Sequence, residues 1–176
     1  YTPLLGASEN RNAGQTRSTG LELGLSYEEK ALDWRMGWSY AEHKYVTYAP
    51  SATLNYSGYE MPQAPRNNIN ASVGYKVAPG ARIALGMVHQ GEYWMNNANT
   101  VRYAGHTLFN LQGSYTLPGG VEAWAQLRNL TDVRYSVSAS SSFSGTGAYT
   151  PDTQNSYSPG APRSLMIGIT KTFGGK

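Results

Sequence analysis

The sequence predicts an all-β fold, an antiparallel up-and-down transmembrane β-barrel segment of about seven strands. In each predicted strand apolar and polar residues alternate with period two, as they do when one face is apolar and the other polar. The connections alternate strictly between short turns and long polar loops, which is typical of outer-membrane barrels. No window approaches the roughly 18 consecutive apolar residues of a membrane-spanning helix.

The first two predicted strands, residues 20–28 and 32–41, carry the clearest alternation. A helix would scatter these apolar side chains around its axis, whereas a strand places them on one face. The apolar faces are formed by Leu21, Leu23, Leu25 and Tyr27, and by Leu32, Trp34, Met36, Trp38 and Tyr40.

The next two strands, residues 68–77 and 81–90, are joined by a tight turn at Ala78-Pro79-Gly80. Proline and glycine supply the backbone conformations that such a turn needs. The apolar positions are Ile69, Ala71, Val73, Tyr75 and Val77 in the first of them, and Ile83, Leu85 and Met87 in the second.

The last three strands are residues 109–117, 121–128 and 164–173. A second tight turn, Pro118-Gly119-Gly120, joins the first two of them. Their apolar faces are Phe109, Leu111, Tyr115 and Leu117, then Val121, Ala123, Ala125 and Leu127, then Leu165, Ile167, Ile169 and Phe173.

Short turns are predicted at 28–32, 78–80 and 118–120, and long loops at 46–66, 91–106 and 133–162. In a barrel these are periplasmic turns and extracellular loops. The Ser-rich residues 136–145 are interpreted as a mobile part of the last loop. Aromatic residues toward the strand ends suit belts at the membrane interfaces. They are Tyr27, Tyr40, Tyr75, Trp94 and Tyr115.

Composition excludes several classes of protein. The chain of 176 residues has no cysteine, which excludes disulfides and thiolate sites. Its net charge of +3 is spread thinly, without the basic stripe of a nucleic-acid binder. Tyr1 begins without a signal peptide, so we expect that the native N-terminus precedes it or that the chain is not exported by itself.

Particular motifs resemble those of TonB-dependent outer-membrane receptors. The run Asn129-Leu130-Thr131-Asp132-Val133-Arg134-Tyr135 resembles the N-L-x-D-x-x-Y element that closes their penultimate strand. Tyr157-Ser158-Pro159-Gly160-Ala161-Pro162-Arg163, with the alternation that ends at Phe173, resembles their terminal strand. Weaker similarities lie upstream, at Asn12-Ala13-Gly14 with Gly20-Leu21-Glu22-Leu23, at Pro62-Gln63-Ala64-Pro65-Arg66, and from Asn99 to His106.

The resemblance implies a 22-stranded barrel of the bacterial outer membrane, filled by an N-terminal plug. Such receptors import scarce nutrients such as ferric siderophores with energy from the TonB complex and have no enzymatic activity. Residues 1–176 would be the C-terminal portion of the barrel, without the plug and the TonB-contacting segment. The implied partners are outer-membrane lipid, the plug and remaining strands, TonB, and a ferric siderophore or similar ligand, with no cofactor and no nucleic acid.

The same resemblance implies that Phe173 lies where the assembly machinery reads a terminal aromatic residue. Here Gly174-Gly175-Lys176 extend past it, which is a departure from the family pattern. The side chains that face the lumen are expected either to contact the plug or only to bind water along the barrel wall. They are Glu22, Arg35, Lys76, Glu122, Trp124, Gln126 and Arg128.

Ligand contacts are predicted at Tyr93, Trp94, Arg102 and Tyr103. Arginine suits an anionic ferric chelate, and Tyr and Trp offer flat apolar faces with a polar edge. The competing interpretation places Tyr93 and Trp94 in the interfacial belt, which needs no ligand.

Structural roles are predicted for the motif residues. Asn129 and Asp132 are expected to satisfy backbone groups, Tyr135 to anchor the rim, and Arg163 to make a fixed polar contact. The spacing of His43, His89 and His106 matches no metal motif, and no serine has the sequence context of a hydrolase nucleophile.

Other interpretations of the chain remain open. The nutrient could be cobalamin, another metal chelate or an oligosaccharide. A small structural barrel or adhesin is a different class, with an eighth strand from residues 1–17. An enzyme would need a serine within hydrogen-bond reach of a histidine on the outer rim.

Overall fold

A single antiparallel sheet of seven strands dominates the computed structural model, which describes residues 14–173. The strands neighbour one another in the order in which the chain visits them, apart from short hairpins inside two loops. They are β1 (Gln15–Glu29), β2 (Leu32–Thr47), β3 (Asn67–Ala78), β4 (Ala81–Gln90), β7 (His106–Leu117), β8 (Val121–Arg128) and β11 (Ser164–Lys171).

The predicted fold is confirmed, but several strand ends differ. β1 begins before residue 20 and β2 continues past residue 41, beyond the stretches that alternate. The added residues, 15–19 and 42–47, lie at the long-loop end of the sheet and pair with each other, with Gln15 opposite Thr47. β7 begins at His106 rather than at 109. The prediction that the last strand reaches Phe173 is wrong, since β11 ends at Lys171 and Phe173 follows it with 84% of its surface exposed.

One face of the sheet is apolar and uncovered. The register places Leu21 opposite Tyr40, and Trp38 opposite Ile69, on this face. Leu21 is 61% exposed and Ile167 is 77% exposed. A sandwich would bury these side chains between two sheets, whereas a barrel wall presents them to hydrocarbon.

Aromatic residues mark the end of the apolar face near the short turns. Tyr27 and Trp34 stack there, with ring centroids 6.2 Å apart. Tyr75 and Tyr115 are exposed at the same end and on the same face, beside the first residues of neighbouring strands. This arrangement is the belt expected at a membrane interface.

The opposite face is polar. Arg82 forms a two-point ion pair with Asp33, through Nη2 to Oδ1 at 2.8 Å and to Oδ2 at 2.7 Å. The pair passes over Gly74, where any side chain would collide with the guanidinium. On the same face Trp124 lies over Gly168. This face therefore has the polar character expected of a barrel lumen.

Among the described residues the sheet is open, with β1 and β11 at its edges. The proposed eighth strand at 1–17 lies mostly outside them, as do Asn12, Ala13 and the terminal Gly174-Gly175-Lys176. Its residues Gln15–Arg17 belong to β1. Within residues 14–173 no helix is long and apolar enough to span a membrane.

Candidate functional site: a layer of three long loops

Three long loops leave the end of the sheet opposite the tight turns. We define loop A as residues 48–66, loop B as 91–105 and loop C as 129–163. Loop B contains the short hairpin β5 (Tyr93–Trp94) and β6 (Arg102–Tyr103), and loop C contains β9 (Ser136–Ser141), α1 (Pro151–Gln154) and β10 (Asn155–Pro159).

The Ser-rich segment that was interpreted as mobile contains a strand, and its mobility stays a prediction. Residues Ser136–Ser141 form β9, which pairs along its length with β10. The reason is contact with loop B: Ala139 is buried, and the Ser141 N–H donates to the Met95 carbonyl at 2.8 Å.

Loops B and C share a small apolar core. Its largest almost fully buried side chain is Met95, which is 2% exposed. Burial of such side chains stabilises a loop pair that has no sheet beneath it. The remaining members are Tyr93, Val101 and Ala139, with Tyr103 and Phe143 packed against them.

Two asparagines of loop B connect all three loops. Asn99 accepts a hydrogen bond from the Glu60 N–H of loop A at 2.8 Å and donates one to the Glu60 carbonyl at 2.9 Å. Asn96, which is buried, donates to the Phe143 carbonyl of loop C at 2.8 Å. The three loops therefore form one connected layer. Sequence reasoning did not predict this role for either residue, although an Asn-rich run is a signal for side-chain bonds to backbone.

Two of the four predicted ligand contacts, Tyr93 and Tyr103, form hydrogen bonds inside this layer. Tyr93 is only 5% exposed, and its hydroxyl accepts the Ala139 N–H at 2.8 Å. Burial raises the pKa of this hydroxyl. The Tyr103 hydroxyl accepts the Ser136 N–H at 3.0 Å. The interfacial-belt interpretation of Tyr93 is wrong, because a belt residue faces lipid.

Trp94 and Arg102, the other two, line an open crevice of about 180 Å³, and Tyr93 also contributes to its lining. The Arg102 guanidinium lies 4.0 Å from the centroid of the Trp94 ring and forms an ion pair with Glu92. Trp94 belongs to loop B and not to the end of a membrane strand. Whether any of the four residues contacts a ligand stays a prediction.

Arg66 is the most firmly held cation of the crevice. Its Nη2 lies 3.0 Å from Glu42 Oε1, and its Nε donates to Glu60 Oε2 at 2.9 Å. Burial alone would raise the pKa of Glu60, but the hydrogen bond and charge of Arg66 lower it below the ordinary value. Glu60 is thus held as a carboxylate that fixes the orientation of Arg66.

The two motif segments bind each other at the base of loop C. Asn129 Nδ2 donates to the Ala161 carbonyl at 3.2 Å, and Asp132 Oδ1 accepts the Arg163 N–H at 3.0 Å. The Tyr135 ring packs against Gly160, whose N–H donates to the Tyr135 carbonyl at 2.9 Å. We call these contacts the loop C clasp. Leu130 joins it to β7, since its N–H donates to Phe109 O at 2.7 Å.

Other residues of the terminal motif lie beside the loop C clasp. Pro159 pairs with Ser136 at the end of β10, and Pro162 leads into β11. The Arg163 side chain adds a longer ion pair to Asp132, at 3.8 Å. The clasp therefore fixes where the last strand enters the sheet.

Each histidine has a nearby hydroxyl partner. His43 Nδ1 lies 2.8 Å from Ser18 Oγ, His89 Nδ1 lies 2.8 Å from Thr107 Oγ1, and His106 Nδ1 lies 3.0 Å from the Tyr103 hydroxyl. In the described part of the chain no group of three potential metal-binding side chains occurs. The Ser18 and His43 pair lies on the polar face, and no acid completes a triad with it among these contacts.

Comparison with protein families decides the assignment. The family described as TonB dependent receptor-like, beta-barrel, matches residues 2–137, which is most of the chain. This chain belongs to the TonB-dependent receptor family. It is a partial outer-membrane barrel of that family, and the family consists of transport receptors rather than enzymes.

Several TonB-dependent receptors are similar in sequence or structure. The probable TonB-dependent siderophore receptor PiuA of Acinetobacter baumannii is 25% identical over 146 residues, which cover 78% of this chain and 20% of that protein. Its crystal structure superposes with a TM-score of 0.72 at 21% identity, covering 89% of this chain and 22% of that one.

Two other solved structures show the same fold. The unliganded ferric citrate transporter FecA gives a TM-score of 0.70 at 20% identity, covering 89% of this chain and 24% of that one. The ferric yersiniabactin uptake receptor FyuA of Yersinia pestis gives 0.65 at 19% identity, covering 90% and 23%. The chain thus spans about a fifth to a quarter of the length of the TonB-dependent receptors that it matches.

Proposed function

We propose that this chain is the C-terminal portion of the barrel of a 22-stranded receptor that imports a ferric siderophore or a similar iron chelate. TonB supplies the energy through an N-terminal part of the receptor, and a plug domain fills the barrel. The polar face of the sheet contacts that plug, and the three loops form part of the extracellular entrance.

The observation that most supports this proposal is the relationship to PiuA, itself a probable siderophore receptor. It covers most of this chain, from the membrane strands into the loops. The uncovered apolar face and the polar opposite face are consistent with it, because a barrel wall separates lipid from a wet lumen.

The connected loop layer supports a role in ligand capture. Loops that are packed before a ligand arrives need little ordering when they bind it, so less binding free energy is lost to entropy. Asn96 and Asn99 provide this order by joining loops A, B and C.

Uptake of radioactive iron by the host bacterium tests the function. Under iron limitation, deletion of the receptor gene should lower uptake of one ferric siderophore in a panel to the background rate, and restoring the intact gene should recover it. Disabling TonB should give the same loss. If every ferric siderophore enters at its normal rate after deletion, while cobalamin or an oligosaccharide does not, the iron assignment is wrong.

A further inference from the structure

Loop C carries two exposed tyrosines on either side of one asparagine. Asn155, the first residue of β10, donates from Nδ2 to the Tyr149 hydroxyl at 2.7 Å and to the Tyr157 hydroxyl at 3.4 Å. Both rings are open to solvent, since Tyr149 is 39% exposed and Tyr157 is 54% exposed. We name these three residues the tyrosine cluster.

The hydrogen bonds of the tyrosine cluster are incomplete. Asn155 Oδ1 is buried and accepts no hydrogen bond from the residues that the structure describes. Each tyrosine hydroxyl accepts a bond from Asn155, but within residues 14–173 neither donates its own proton. A buried polar atom without a partner is uncommon in a folded protein. The cluster therefore offers a ligand one acceptor and two O–H donors.

The sequence around the tyrosine cluster is almost uncharged. From Tyr135 to Pro162 the only charged residue is Asp152, and most of the other polar residues are serines and threonines. A stretch with one carboxylate and no cation does not favour an anionic chelate. A wholly apolar ligand would leave Asn155 Oδ1 without a partner. A neutral group with several hydroxyls fits better, because each hydroxyl can both donate and accept.

The tyrosine cluster rests on the apolar core that loops B and C share. The Tyr149 ring packs against Phe143, with centroids 5.0 Å apart, and Phe143 packs against that core. Tyr157 pairs with Ala139 across β9 and β10. The backbone that carries both rings is therefore held in place before a ligand arrives, which lowers the entropy lost on binding. Tyrosine in such a position supplies rigid contact area with a polar tip.

We propose that the tyrosine cluster binds a neutral sugar. The exposed rings contact the C–H groups of the sugar, since a tyrosine combines a flat apolar face with a polar edge. One sugar hydroxyl donates to Asn155 Oδ1, which becomes accessible when the longer contact, that to Tyr157, opens. Another sugar hydroxyl accepts from a tyrosine. The sugar is part of a chelate or of a free oligosaccharide, and the site does not depend on which nutrient the receptor transports.

Saturation-transfer difference NMR on the whole receptor, in a detergent without a sugar headgroup, tests the site with free oligosaccharides. The probes are neutral tetrasaccharides of glucose, galactose and mannose, with tetragalacturonate as the charged analogue. We expect transfer to at least one neutral probe and none to the charged one. Equal transfer to tetragalacturonate would contradict a site that selects neutral sugars.

A second arm identifies the source of the sugar by comparing a ferric tris-catecholate chelate with and without an attached glucosyl group. Tighter binding of the glucosylated form, lost in Asn155→Ala, would place the sugar on a chelate. Transfer to a free tetrasaccharide, with no difference between the two chelates, would identify a free oligosaccharide. If the unmodified receptor shows neither effect, the proposal is wrong.

Variants locate the binding. Asn155→Ala and Tyr157→Ala should each weaken it by at least roughly tenfold, the effect of truncating a central contact. Tyr157→Phe keeps the ring and should retain more binding than Tyr157→Ala. Tyr59→Ala is the matched control, because Tyr59 is a tyrosine of loop A that is 44% exposed. The gel shift of folded barrels checks each variant, and an equal loss in Tyr59→Ala would contradict the proposed position.

Discussion

Replacing Gly105 with alanine is expected to destabilise the barrel by roughly 3 to 5 kcal/mol, the range of severe backbone and packing defects. Gly105 has a φ of +77° at the entry to β7. A Cβ there would collide with the Gln90 carbonyl oxygen and would lie 2.7 Å from the Gly91 carbonyl carbon. Both atoms are backbone, so no side-chain rotation can relieve the contact. Thermal unfolding of the whole receptor in detergent, followed by the gel shift of folded barrels, measures the loss.

Gly58→Ala is the matched control for this prediction. Gly58 has a similar φ, +84°, but a Cβ there meets no atom within 4 Å. Alanine at this position should cost only the backbone strain, about 1 kcal/mol. If both variants unfold at the same temperature, the close approach of loop B to β4 is not what fixes Gly105.

Replacing Asn129 with alanine is expected to cost about 2 to 4 kcal/mol, because backbone groups of Val133 and Ala161 lose their side-chain partners and alanine is strained at a positive φ. Asn129 is 3% exposed and has a φ of +49°. Its Oδ1 accepts the Val133 N–H at 2.9 Å, and its Nδ2 donates to the Val133 and Ala161 carbonyls. The loss should appear as a lower unfolding temperature and faster hydrogen exchange across the loop C clasp.

Two further variants separate the causes at Asn129. Asn129→Gly keeps the backbone conformation and removes the hydrogen bonds, so it should be less harmful than alanine. Asn129→Asp keeps the acceptor for the Val133 N–H but loses the donor to the Val133 and Ala161 carbonyls. An alanine variant as stable as the glycine variant would mean that the positive φ contributes nothing.

Local alternation was sufficient to predict the seven-stranded sheet. In β2 every second residue from Leu32 to Tyr40 is apolar, and the structure places these residues on one face with the predicted neighbours. The tight turns at Pro79 and Pro118 also lie where turn residues predicted them. Strand identity was therefore encoded in short stretches of sequence.

Long-range contacts explain what the sequence did not predict. Residues 15–19 of β1 and 42–47 of β2 show no alternation of apolar and polar residues. They form strands because they pair with each other. Likewise β9 depends on contact between Ala139 and Tyr93, which lie in different loops. No local pattern reports such a pairing.

The candidate site was only partly predictable for a similar reason. The motif residues Asn129 and Asp132 were placed at the end of β8, where they bond backbone groups of loop C. The sequence indicated residues 93–103 as candidates, but it did not predict the direction in which their side chains point. Counting by alternate residues fails once the chain leaves β4 at Gly91, and Tyr93 packs in the loop core while Arg102 lies over the Trp94 ring.

A wall of an outer-membrane barrel requires that the apolar face of this sheet touch hydrocarbon. Spin labels placed singly from Leu32 to Ala41 in the whole receptor, reconstituted in a bilayer, measure this through collisions with oxygen and with a water-soluble nickel chelate. We predict high oxygen access at Trp34, Met36 and Trp38, alternating with lower oxygen access at Arg35, Gly37 and Ser39. Equal oxygen access at odd and even positions would contradict it.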